Sequence, residues 1–188
     1  MGGYINIGLL SEKADFQEKV IKLIRSSNAF YCHKVDYPTD QTYSVWKEKA
    51  IEQCGIETAI DYCIQYNMAK ITGDLKLGEY EIHEVLFQVE ELSDGSCCFL
   101  IQMPEQTNDI FQDIHVAEEH IISFLKEIAQ YGFSKGFCDS EAEPEDEHSC
   151  AISVVYDPAA KISLQSWMID GLTSREAYRD ERQMQKHK

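Results

Sequence analysis

The chain has 188 residues, 33 acidic against 17 basic side chains, and a formal net charge of −16. Such a surface repels nucleic acid and anionic lipid and attracts basic proteins and cations, so partners with phosphate backbones or acidic headgroups are disfavoured from the start. The hydrophobic fraction of 44% and charged fraction of 27% are those of a globular protein, and the length suits one domain.

Gly3 to Leu10 is a short apolar run without a preceding basic region, so it reads as a first strand rather than a secretory leader. No stretch reaches the roughly 20 apolar residues of a membrane span. Met1-Gly2 opens like a myristoylation signal, but Asn6 stands where that signal needs Ser or Thr. Ser11 is a candidate N-cap. Phe16, Val20, Leu23 and Ile24 then recur at the spacing of an amphipathic helix.

Residues 28–43 carry Asp36, Pro38 and Asp40 and read as a loop or irregular edge. Ser44 is placed to cap a helix carrying Val45, Trp46, Ala50 and Ile51. Gly55 suits a helix end. A further helix follows, with Ile56, Ala59, Ile60 and Cys63 on one face. The period changes near Gly73. Val85, Phe87 and Val89 alternate, and Cys98 and Leu100 can pair with them across Ser93-Asp94-Gly95-Ser96, where Asp-Gly predicts a hairpin.

Residues 108–131 predict the strongest helix, with Ile110, Ile114, Ala117, Ile121, Phe124, Leu125 and Ile128 on one side and Gly132 at its end. Phe133 to Cys138 and Ala151 to Tyr156 read as strands. Between them Asp139 to Glu147 holds six acids and no bases. Residues 161–172 carry enough apolar side chains to pack on the body. The segment 173–188 reads as a polar, frayed helix or tail of net +2, which leaves −18 on residues 1–172. The expected division is thus a single domain over 1–172 and a tail over 173–188. The expected class is α+β, a mainly antiparallel sheet with helices packed on one face. A ferredoxin-like core, β-α-β-β-α-β, with an inserted helix fits the order.

Motifs that carry chemistry fail on spacing. His115 and His120 are five residues apart, about 140° around a helix at ~100° per residue, so they do not share a metal as His-Glu-x-x-His does. Glu145-x-x-His148 is one fragment of a di-iron signature that needs two such motifs and two more carboxylates. Asp139, Glu141 and Glu143 alternate like the first ligands of a calcium loop, but Pro144 replaces its glycine and Cys150 its final glutamate. No P-loop, dinucleotide or nucleophile-elbow pattern occurs. No catalytic residue, metal ligand or cofactor is therefore assigned.

The seven cysteines are irregularly spaced and, in a chain without an export signal, read as reduced, buried and cytoplasmic. A Cys138–Cys150 bridge closing the acidic run is disfavoured in that compartment. Cys32-His33 is the one adjacent Cys/His pair, and neighbours in a strand point opposite ways.

Tyr131-Gly132-Phe133 to Phe137, running into Cys138-Asp139-Ser140-Glu141-Ala142-Glu143, resembles the immunity proteins of bacterial polymorphic-toxin systems, and is similar to the immunity protein 64 group in particular. The resemblance covers the first two-thirds of the chain plus this segment. It implies a non-catalytic cytoplasmic protein that neutralises a cognate toxin, and it carries over no functional residue. The charge makes that toxin basic, a nuclease being one such class. Asp139, Glu141, Glu143, Glu145, Asp146 and Glu147 are the candidate contacts. The alternatives are a small-molecule-sensing or scaffold domain, and an enzyme using Cys32/His33 or a loosely held metal. For the acidic run itself, a solvated loop is the competing reading.

Overall fold

The computed structural model describes residues 3–104, 109–112, 114–156 and 163–164. Most of 157–172, where packing on the body is expected, and the polar tail over 173–188 lie outside the described residues. In chain order the elements are β1 (Tyr4–Glu12), α1 (Phe16–Ser26), β2 (Phe30–Pro38), β3 (Trp46–Ala50), α2 (Ile51–Cys54) and α3 (Ile56–Gln65). Then come β4 (Lys70–Leu77), β5 (Tyr80–Glu91), β6 (Ser96–Pro104), α4 (Ile114–Ile128), β7 (Lys135–Ser140), β8 (Ile152–Val155) and β9 (Ser163–Leu164).

Among the described residues the strands form one open sheet in the order β3-β2-β4-β5-β6-β1-β7-β8-β9. Every pairing is antiparallel. The fold is α+β, as expected. Its centre holds two interleaved crossovers: β6 lies between β5 and β1, and β1 lies between β6 and β7. That is the split β-α-β arrangement of a ferredoxin-like core. The inserted part is larger than one helix. It carries β2, β3, α2, α3 and β4, which extend the sheet beyond β5.

Alternation along each strand sends one set of side chains to each face. Ile7 and Leu9 of β1, Phe87 of β5, and Phe99 and Ile101 of β6 join a single apolar cluster with Phe16, Val20 and Leu23 of α1. Ile56, Ala59, Ile60 and Cys63 of α3 and Ile121, Phe124, Leu125 and Ile128 of α4 complete it. The helices therefore share one face. Each fully buried Leu, Ile or Phe contributes about 1.5–3 kcal/mol, so this face dominates stability.

Three sequence expectations are corrected. The segment expected to be a loop holds β2, and the segment expected to be a helix from Ser44 holds β3, with helix only from Ile51. In β2, a register shift between Cys32 and Lys34 breaks the alternation, so Cys32 packs toward the core while Val35 and Tyr37 resume it one step late. In β3, Trp46 to Glu48 are exposed, so no buried stripe marks the strand. Ser11 does not cap α1 either. It lies within β1, and its hydroxyl accepts a hydrogen bond from Lys19 Nζ at 2.7 Å.

The Asp-Gly hairpin forms as expected. Asp94 Oδ1 accepts from Ser96 N at 2.9 Å, and Gly95 takes φ +84°, which its lack of a Cβ permits.

Candidate functional site

The face opposite the helices holds a second, smaller apolar cluster of Leu10, Cys98, Leu100, Phe137, Ala142 and Cys150. Two of these, Ala142 and Cys150, come from the acidic segment and its end. The segment is thus folded over β6, β1 and β7 rather than left as a free loop. Glu141 takes φ +51°, and its N–H donates to Tyr4 O at 2.8 Å. Asn6, 2% exposed, donates from Nδ2 to Ala142 O at 2.9 Å. Pro144 then starts a 3-10 helix, Pro144–Ser149, its fixed φ suiting the first turn.

This architecture divides the six acids. Asp139 accepts from its own neighbour Ser140 N at 2.7 Å and from Ala151 N at 2.9 Å, which closes the base of the segment. Glu147 pairs with Lys135 at 2.6 Å. Glu141, Glu143 and Glu145 are exposed. The Asp146 side chain lies outside the described residues.

Glu145 also lines a groove of about 840 Å³ with Asp36, Trp46, Met68, Lys70, Glu90 and Glu91. Strands β2, β4 and β5 form its floor. Registers Asp36↔Lys70 and Leu86↔Thr72 place Asp36, Lys70, Gln88 and Glu90 on the side away from the helices. Burial raises the Glu90 carboxyl above its ordinary range, and the charges of Glu143 and Glu145 raise it further. Glu90, Glu143 and Glu145 therefore share one field. Among the described residues, none of the three forms an ion pair. The sequence reading missed Trp46, Met68 and Glu90. For Glu90 a signal existed: Val85, Phe87 and Val89 face the helices, so the next residue faces the other way.

Other clusters have structural roles. Asp74 accepts from or pairs with two histidines, His33 Nε2 at 2.9 Å and His83 Nδ1 at 3.1 Å, where β2, β4 and β5 all shift register. The Tyr37 and Tyr62 rings stack at 3.9 Å, and Lys49 Nζ sits 3.0 Å from Tyr62 Oη, tying β3 to α3. The Lys49 hydrogen bond lowers the Tyr62 phenol below its usual range.

Cys32 and His33 do not meet as nucleophile and base. The Cys32 thiol packs toward the core, where burial pushes it up to about 12, and the His33 ring is bonded to Asp74. Cys138 and Cys150 belong to opposite faces of the sheet, and none of the seven cysteines is in a disulfide. His120 stacks edge-on against Tyr80 at 5.3 Å, and the His115 side chain lies outside the described residues, as does that of His148. Among the described residues no group of three or more His, Cys, Asp or Glu is arranged to hold a metal ion. None of their helices is long and apolar enough to cross a membrane.

The fold and the site define an α+β protein with a helix-covered sheet whose reverse face carries an acidic turn beside an acid-lined groove. No family model matches the chain, and no curated protein or solved structure matches it significantly.

Proposed function

We propose that the chain is a non-catalytic inhibitor that binds a basic protein, a toxin domain of the kind its sequence resemblance implies, through the acidic surface of the turn and groove. The observation that carries this reading is the shared field of Glu90, Glu143 and Glu145, which have no basic partner among the described residues. Burial and the charges of Glu143 and Glu145 disfavour the ionised form of Glu90, and an approaching Lys or Arg relieves that repulsion. The net charge of −16 extends the attraction to longer range and steers encounter. A nuclease is a fitting target. Its phosphate-binding site is basic, and a row of carboxylates fills such a site as phosphates do.

The experiment is affinity purification of the tagged full chain from its native cell at about 50 mM salt, with the bound protein identified and its affinity then measured at rising salt. The reading expects one basic protein, bound stoichiometrically and weakened at least tenfold between low and high salt. A stoichiometric acidic partner, or a salt-independent one, contradicts it.

A further inference from the structure

One corner of the molecule gathers five of the seven large apolar side chains that are exposed among the described residues. Tyr43 and Val45 precede β3, Trp46 begins it, Ile64 ends the exposed face of α3, and Met68 sits in the turn into β4. Val45 and Met68 are 52% and 57% exposed. The patch is continuous. The Trp46 indole N–H donates to Tyr43 O at 3.1 Å, and the two rings lie 6.4 Å apart. Trp46 and Met68 line the acid-lined groove, Tyr43 and Ile64 line a second groove of about 720 Å³, and Asn67 and Glu91 border both.

Scattered apolar residues on a surface need no explanation, but a contiguous patch rimmed by charge marks an interaction site. Trp, Tyr and Met are the residues that anchor the centres of protein interfaces. The rim selects the partner. Asp36, Glu90, Glu91 and Glu145 border the groove beside Trp46, against Lys70 as its one basic residue among the described residues. A second copy of this chain, itself at −16, is repelled.

We propose that this corner, not the acidic turn, is the centre of the interface, and that its occupant is an apolar side chain of a partner protein set in a surface of Lys and Arg. The acidic turn supplies the rim through Glu145. This rests on the functional reading above, and it adds where the contact is centred and what the partner must present.

The test uses the full chain with Trp167→Phe, so that emission reports Trp46, and two synthetic amphipathic helical peptides without Trp or Tyr. Both carry the same Leu face. One has Lys on its polar face and the other Glu. Titration should shift Trp46 emission to the blue with the Lys peptide and bind it at least tenfold tighter than the Glu peptide. In calorimetry with the unsubstituted background, Trp46→Ala and Met68→Ala should each weaken the Lys peptide by roughly tenfold, with far-UV dichroism unchanged. Hydrogen-exchange protection should cover Tyr43–Trp46 and Asn67–Met68. If the Lys peptide binds but neither variant weakens it, and protection falls on the acidic turn alone, this inference is overturned and the functional reading stands. If neither peptide binds, or both bind equally, the two fall together.

Discussion

Asn6 holds Ala142 across 136 residues of chain: its buried Nδ2 donates to the Ala142 carbonyl at 2.9 Å. This bond fastens the acidic segment to β1, an interior strand of the sheet. Its other amide atom, Oδ1, has no partner among the described residues, so the side chain is kept for one contact. Asn6→Ala removes the donor and leaves a buried carbonyl unpaired, a loss of about 1–3 kcal/mol. Urea unfolding should show that loss. Hydrogen exchange in the folded state should quicken first at Glu141–Glu147, because this variant loosens the turn more than the helix-covered face. Uniform quickening along β1 would contradict the fastening role.

Gly8 tests the same face by size. A Cβ at this position falls 2.0 Å from the Phe137 ring, which is fully buried. Gly8→Ala should therefore destabilise by roughly 1–3 kcal/mol, the usual cost of overfilling a packed site. Adding Phe137→Leu should recover part of that loss, because the shorter side chain vacates the clash. Additive losses in the double variant, measured by chemical denaturation, would show that the two do not compete for space.

Glu90 gives a pH dependence with a definite sign. Its carboxyl is raised in the folded state, first by burial and then by Glu143 and Glu145. A raised carboxyl contributes stability below its unfolded value, and that contribution is lost as pH rises through the folded value. Glu90→Gln should thus melt at a higher temperature than the parent near pH 7, and the difference should vanish as pH falls through the carboxylate range. A variant that melts lower at neutral pH would contradict the shared field.

Three of the cysteines should be inert in the native state. Burial pushes Cys32 and Cys63 up to about 12 and Cys98 well above the ordinary thiol range. A thiol reagent at pH 8 should label none of these three within minutes, and all three should react once the chain is in denaturant. Rapid native labelling of Cys32 would revive a cysteine-based chemistry.

The helix-covered half of the fold was legible because its periods are regular. Phe16, Val20 and Leu23 mark α1, and Val85, Phe87 and Val89 mark β5. β2 and β3 were not legible, for physical reasons. A register shift beside His33 interrupts the alternation of β2, and β3 is a sheet edge with Trp46 to Lys49 exposed, so neither writes a buried stripe into the sequence. The same holds for the site. The acidic run is visible as composition, but its division is not. Asp139 and Glu147 are engaged within the fold while Glu145 reaches a groove shared with Glu90, 55 positions earlier in the chain. Only the pairing of strands brings them together.

The account's central claim is that uncompensated carboxylates beside this groove draw in a basic protein. The most direct measurement is the association rate constant of that partner with the parent chain and with Glu90→Gln/Glu143→Gln/Glu145→Gln, across salt from about 50 to 500 mM. The account predicts at least tenfold slower association for the triple variant at low salt, converging with the parent at high salt, as electrostatic steering requires. Equal rates at every salt concentration would contradict it.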